Sequence, residues 1–240
     1  MKTGVTGNIY CGLHEFPDMA FWLHALRKGD FFVDIGANVG SYTVLASAAI
    51  GARGYCFEPV PSTYDRLMTN IRLNNLGDQV KSLNMALGNS KGEIHFSSDQ
   101  DSMNHVIADG EISENKIIVN VSTLDEEITS PPFVMKIDVE GYETPVLEGA
   151  ENTLKNEELC GIIIELNGNR NRYGYNESKI LSMMLDYGFK AYSYKPFERA
   201  LINLENKNFG EGNTIFIRNM DRVLDRIKTA PKIDVNGVSI

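Results

Sequence analysis

Two short stretches hold most of the residues in this 240-residue chain whose types and spacing could do chemistry. The first is Asp34-Ile35-Gly36-Ala37-Asn38-Val39-Gly40, which follows the strand-like run Phe31-Phe32-Val33 and precedes a helix-like run from Ser41 to Ile50. Gly36 and Gly40 let the backbone approach a ligand closely, and the following helix offers N–H groups at its start. Asp34 puts a carboxylate just before the turn, which repels phosphate and suits a ligand bearing ammonium and sulfonium groups. The dinucleotide fingerprint requires G-x-G-x-x-G. Here Asn38 stands where the middle glycine belongs, so a pyrophosphate would press against its side chain and a nucleotide-dependent oxidoreductase is disfavoured. Glu58 ends the next strand-like run, 22 residues beyond Gly36. That is where a doubly wound fold presents an acid to ribose hydroxyls, and one carboxylate can accept from both.

The second stretch is Lys136-Ile137-Asp138-Val139-Glu140-Gly141-Tyr142-Glu143. Asp138 and Glu140 alternate, so they face one side if the strand continues that far. Glu140 and Glu143 have a plainer reading as acids at the start of the following helix, where negative charge is favourable. Lys136 either neutralises these acids or points into a helix interface.

To position these groups the chain alternates strands and helices, which implies a mainly parallel sheet covered on both faces. Strands are expected at Phe31–Ile35, Gly54–Glu58, Val80–Met85, Phe133–Asp138 and Gly161–Glu165, with helices at Ser41–Ile50, Pro61–Asn74, Pro145–Lys155 and Glu177–Tyr187. Gly51 stops the first helix, and Ser62 is the expected cap of the second. Phe189–Lys195 and Asn213–Arg218 form a closing hairpin-type pair joined by a polar connection, and the tail after Asp221 is short and mixed. From Gly88 to Ile128 the pattern changes to two antiparallel strands, Glu93–Phe96 and Ile117–Val121, with a polar loop at 97–115. A loop this long inside a compact domain is commonly functional, often a lid, with disorder as the plainer alternative. The reading is a single domain over 1–240 in which 88–128 is a hairpin and loop insertion; no repeat or Pro/Gly/Ser-rich linker divides it.

The bulk properties agree with a globular protein: 42% apolar and 23% charged residues. The formal charge of −9 and the lack of a long basic run argue against nucleic acid, whose binders need cationic patches for phosphate. Cys11, Cys56 and Cys160 offer neither a metal pair nor a disulfide framework; Cys56 and Cys160, beside strand-like runs, are expected as small core residues in a reduced, cytoplasmic setting. No signal-peptide order and no span of about 20 apolar residues is present, so no membrane partner is expected.

At Phe32–Thr43, Phe57-Glu58-Pro59, Asn84-Met85-Ala86-Leu87-Gly88 and Lys136–Glu143 the sequence resembles the FkbM-type methyltransferases, over about Gly29 to Leu166. The resemblance implies a class I methyltransferase (Rossmann-like) fold: a mostly parallel seven-stranded α/β sheet with a reversed C-terminal hairpin. It further implies S-adenosyl-L-methionine as cofactor and methyl transfer to a hydroxyl of a small acceptor such as a sugar or secondary metabolite. Carried over by position, Asp34, Gly36, Ala37, Asn38 and Gly40 would hold the methionine part of the donor. Glu58 would hold the ribose, Met85 and Ala86 the adenine, and Asp138 the donor's amino end near the methyl. The segment before Gly29 and the span 88–128 match less clearly, and the acceptor pocket is expected there.

Methyl transfer mainly needs the acceptor oxygen aligned with the methyl carbon and water excluded, with a base for the departing proton. Candidates are Asp138, Glu140, Glu143, Glu165 and the loop residue His105, of which Asp138, Glu140 and His105 are the catalytic assignments. Asp138, Glu140, Glu165 and Asn167 could hold a divalent cation if they converged, but no metal is assigned. The non-enzymatic alternative is a donor-binding domain without catalysis.

Overall fold

The computed structural model describes residues 12–97, 105–107, 116–166, 177–205 and 212–240. Its helices are α1 (Phe16–Ala25), α2 (Ser41–Val44), α3 (Pro61–Leu73), α4 (Leu124–Glu127), α5 (Glu143–Glu148), α6 (Glu151–Lys155), α7 (Glu177–Asp186) and α8 (Met220–Thr229). The main sheet contains β1 (Phe31–Ile35), β2 (Arg53–Phe57), β3 (Val80–Leu83), β7 (Val134–Ile137), β8 (Gly161–Glu165), β9 (Lys190–Lys195), β10 (Ala200–Asn203) and β11 (Asn213–Ile217), in the order β10-β9-β11-β8-β7-β1-β2-β3. A second sheet joins β4 (Ala86–Leu87), β6 (Lys116–Ser122) and β5 (Gly92–Ser97), and a small hairpin pairs β12 (Asp234–Val235) with β13 (Val238–Ser239).

β3, β2, β1, β7 and β8 run parallel, while β11 is antiparallel to both β8 and β9. The expected seven strands and reversed closing pair are therefore present. An eighth, β10, pairs antiparallel with the free edge of β9 and arises within the polar connection where no strand was expected.

Alternation along the strands divides the core into two layers. Phe32, Val134, Cys56 and Ile163 face one side, packed with Trp22 of α1, Ala46, Leu67 of α3 and Ile227 of α8. Val33, Met135, Phe57 and Ile162 face the other, against Val146 of α5, Leu154 of α6 and Ile180 and Met184 of α7. Cys56 and Cys160 are buried free thiols, as core residues should be, and Cys11 lies outside the described residues.

Several boundaries differ from expectation for identifiable reasons. The helix after the glycine turn is α-helical only to Val44 and then widens into a π-turn at Leu45–Ile50, before Gly51 ends it with φ +80°. α3 begins with Pro61 in its first turn and no side-chain cap, so Ser62 does not cap it; the proline's fixed φ starts the helix. The helix expected at Pro145–Lys155 breaks into α5 and α6 at Gly149, where a Cβ would stand 1.9 Å from the Gly88 carbonyl oxygen. α1 was not expected at all. Its residues Met19 to Ala25 are buried all round, so the sequence lacks the one-sided period that marks a surface helix. α8, in the tail read as mixed, buries only Val223 and Ile227, and Asn219 caps it by accepting the Arg222 N–H. Among the described residues no helix is long and apolar enough to cross a membrane.

Candidate active site

Strands β1, β2, β7 and β8 all end at one edge of the sheet, where open α/β folds bind ligands. A cavity of about 310 Å³ opens there, within the range of small-molecule sites, roughly 300–1,000 Å³. Asp34, Gly36, Ala37, Asn38, Glu58, Met85, Ala86, Asp138 and Glu140 all line it. Gly40 and His105 do not.

The glycine turn is held by geometry that only its residue types allow. Gly36 has φ +76°, and a Cβ there would lie 1.8 Å from the Asp138 carbonyl oxygen. Its lack of a side chain thus lets the end of β1 close against the end of β7, where the Asp138 N–H donates to the Ile35 carbonyl at 3.0 Å. Gly40, with φ +89°, sits against Leu67 of α3 and ends the turn rather than facing the cavity. The N–H groups of Gly36 and Ala37 both donate to the Phe57 carbonyl, and the Asn38 N–H donates to Glu58 Oε2 at 3.0 Å. Three donors that a pyrophosphate cradle would need are therefore already used, which adds to the argument from the missing middle glycine.

Asp34 is 2% exposed, and its Oδ2 accepts from both the N–H and the hydroxyl of Thr43, at 3.1 and 2.6 Å. It ties the first turn of α2 back to β1 as well as lining the cavity. Burial pushes its carboxyl up to about 6, against the Thr43 bonds and the Lys136 charge. Glu58, 6% exposed, accepts from Asn38 on one oxygen and from Val60 on the other at 2.9 Å. Each oxygen keeps a further lone pair for a ligand hydroxyl. Burial pushes Glu58 up to about 7, against those two N–H bonds.

At the far side of the cavity the strand β7 stops at Ile137, and Glu140 and Gly141 follow with φ +51° and +100°. Asp138 and Glu140 are thus brought together by a tight turn rather than by strand alternation. One oxygen from each of Asp138, Glu140 and Glu165 lies within 4.8 Å of the others. Burial and the adjoining Asp138 raise the Glu165 carboxyl above its ordinary range. Such a cluster can share a proton, and its oxygens are also of the kind that hard cations take; Asn167 lies outside the described residues. Glu143 is buried and its Oε1 accepts the Gly141 N–H at 2.9 Å, so it braces this turn.

His105 is placed differently from the expectation. It is 1% exposed, its backbone N–H donates to Ser97 Oγ at 2.9 Å, and its ring is directed to the same hydroxyl. The neighbouring Val106 and Phe96 of β5 face the cavity instead. The imidazole is drawn inward because the 105–107 segment pairs with β5.

The remaining wall includes residues from the segment before β1 that were not singled out individually in the sequence. Glu15 lines the cavity from the turn before α1; its Oε2 accepts the Tyr42 hydroxyl at 2.6 Å and the Asn213 amide at 2.8 Å. Burial alone would raise Glu15, but His14, Lys136 and Tyr42 hold it down at about 2. Asp18, which also accepts from Asn213, is pushed up to about 6 by burial. Pro17, a helix-start signal, was the available clue that Glu15 precedes a helix. Lys136 also faces the cavity, although it is only 2% exposed.

Comparison with known proteins follows the same lines. The model of the methyltransferase FkbM domain matches residues 34–191. Hexuronic acid methyltransferase AglP of Haloferax volcanii is 30% identical over 150 residues, 60% of this chain and 59% of that protein. Methyltransferase sdnD of Sordaria araneosa is 34% identical over 80 residues, 33% of this chain and 31% of that one. The chain thus spans less than two thirds of the length of these curated relatives. The crystal structure of a methyltransferase FkbM from Methylobacillus flagellatus superposes with a TM-score of 0.53 at 15% identity, covering 80% of this chain and 44% of that one. Magnesium protoporphyrin IX methyltransferase from Synechocystis with bound S-adenosylmethionine gives 0.51 at 13% identity, covering 91% and 86%. At such identities the likeness is one of fold, the class I methyltransferase fold.

Proposed function

Because the chain belongs to the FkbM methyltransferase family, matched over residues 34–191, we propose that it transfers a methyl group from S-adenosylmethionine to a hydroxyl of a small acceptor, with a sugar as the first class to test. The observation that carries this reading is the convergence of the Asp34–Gly40 turn, Glu58 and Asp138 on one cavity at the carboxyl edge of the sheet. In the proposed arrangement Gly36, Ala37 and Asn38 border the methionine part of the donor and Asp34 supplies negative charge beneath it. Glu58 accepts from the ribose, Met85 and Ala86 flank the adenine, and Asp138 faces the amino end. The hexuronic acid methyltransferase relative supports a sugar acceptor. Phe96 and Val106, from the span 88–128, and His14 and Glu15, from the segment before β1, supply the acceptor side of the cavity.

In the transfer the acceptor oxygen bonds to the methyl carbon, the sulfur–methyl bond breaks, and its electron pair stays on sulfur. The hydroxyl proton passes to the carboxylate cluster, with Asp138 and Glu140 as the acceptors and Glu165 as their partner. His105 is left out of this set, since it is buried against Ser97 away from the cavity. The negative charge of the cavity favours a cationic donor and releases it more easily once the sulfur is neutral.

Calorimetry with S-adenosylmethionine, with NAD as the control, tests the donor. Binding of the former alone is expected; no heat with it would overturn the proposal. Turnover of hydroxylated compounds with labelled donor then identifies the acceptor, and a neutral sugar or hexuronate is expected to be methylated on oxygen.

A further inference from the structure

Lys136 is a charged side chain in the middle of a buried sheet layer. It lies on β7 in register with Asp34 on β1 and Ile163 on β8. Its Nζ donates to Asp138 Oδ2 at 2.9 Å and stands 5.0 Å from the centroid of the Tyr42 ring. Tyr42 is itself fixed twice: its hydroxyl donates to Glu15, and its carbonyl accepts the Trp22 indole N–H of α1 at 3.2 Å. The ammonium is thus closed in by β1, β7, α2 and the start of α1.

The acids around it are Asp34 from β1, Asp138 just past the end of β7, Glu15 and Asp18 from the N-terminal segment, and Glu165 from β8. Burial would lower the lysine's proton affinity, yet Asp138, Glu15 and Asp34 raise it above its ordinary value. A lysine 2% exposed with several acids about it cannot be a solvated surface charge. The helix-interface reading also fails, because the ammonium reaches Asp138 and the cavity wall.

We propose that Lys136 is a positioning residue of the methyl-transfer site, fixing the Asp138 carboxylate in the orientation it presents to the cavity, while Tyr42 and α1 hold Lys136. The inference rests on the donor site proposed above and adds a residue to which no role there was given. The ammonium holds Oδ2 and Glu165 shares a hydrogen bond with the same carboxyl, so the face that Asp138 turns to the cavity is set by its neighbours. The charge-assisted bond also removes the rotational freedom that a carboxylate at the end of a strand would otherwise keep.

The test is a double-mutant cycle read by calorimetry on the full chain, with S-adenosylhomocysteine as probe. Its sulfur is neutral, so any gain from the lost lysine charge is confined to the probe's amino end, and an affinity loss is read against that gain. Failure of the wild-type chain to bind would overturn the donor reading, not the lysine's link to Asp138. Given wild-type binding, Lys136→Gln and Asp138→Asn are each expected to weaken affinity roughly tenfold or more, the scale of one lost charge-assisted bond. The double variant is expected to bind no more weakly than Asp138→Asn alone. Two losses that multiply, or a Lys136→Gln variant that binds like wild type, would overturn the proposal. Should Lys136→Gln not fold, Lys136→Arg and the double variant decide it. Lys136→Arg, which keeps the charge, is expected to retain affinity within a few-fold, and the double variant to match Asp138→Asn; failure of either overturns the proposal.

Discussion

At the scale of single residues, the site is governed by carboxyls that burial makes reluctant to ionise. Glu58 and Asp34 are pushed up to about 7 and about 6 from ordinary values of 4.5 and 3.8. A raised folded value means that the folded chain holds protons which the unfolded chain gives up. The stabilisation from these two groups is therefore full below about 4 and is lost as pH rises through about 7. A cationic donor reverses the preference by stabilising the ionised forms. We expect donor binding near pH 6.5 to release protons, seen as binding heats that depend on the buffer's ionisation enthalpy. Glu58→Gln should reduce that release and weaken donor affinity by roughly tenfold or more, since a neutral amide accepts ribose hydroxyls less strongly. Unchanged heats across buffers would remove Glu58 and Asp34 from the binding equilibrium.

At the scale of elements, the turn between β1 and α2 is the part least tolerant of change. Gly36→Ala combines a left-handed φ of +76° with a Cβ 1.8 Å from the Asp138 carbonyl oxygen. It should cost at least about 3 kcal/mol in a urea-unfolding measurement and abolish donor binding, because it drives β1 and β7 apart. The β5–β6 pair behaves as a separate layer, whose small cluster of Val60, Ala86, Phe96, Val106, Val119 and Val121 carries Phe96 and Val106 to the cavity. If that layer serves the acceptor, Phe96→Leu should raise the acceptor's KM several-fold with donor affinity unchanged. A change in donor affinity instead would place the layer at the adenine end.

At the scale of the whole molecule, arginines join parts of the chain far apart in sequence. Arg218, after β11, donates to the Leu154, Tyr187 and Leu159 carbonyls at 2.8, 3.1 and 2.9 Å, and also to the Asn156 carbonyl. It thereby ties together the ends of α6 and α7 and the loop before β8, and Phe189 lies under its guanidinium. Arg199, in the turn between β9 and β10, likewise binds carbonyls of Pro231 and Ile240 at 3.1 Å each. Arg218→Ala leaves several carbonyls without a donor and should lower stability by roughly 3 kcal/mol. Because neither Arg218 nor any of its partners lines the cavity, donor affinity at temperatures well below unfolding should stay unchanged; its loss there would show that this edge and the site are coupled.

How much of this was legible in the sequence depended on the range of the interaction. The parallel core strands, the glycine turn and Glu58 could be read because local pattern and short spacing mark them: alternation, turn glycines and strand-end acids are properties of neighbouring residues. Asp138 and Glu140 were marked by spacing alone, and the turn that joins them was not. The rest required contacts between distant segments. α1 escaped because a helix buried on every side has no one-sided period, and with it went Glu15. Lys136 remained ambiguous because its role exists only where β1, β7, α2 and α1 meet. His105 was misplaced because pairing with β5 turns it towards Ser97, which its loop sequence does not encode. The amino-acid order therefore determined a class I methyltransferase sheet and its glycine turn; only the tertiary structure decided which charges oppose one another across the cavity, since Coulomb and hydrogen-bond energies depend on distance in space rather than along the chain.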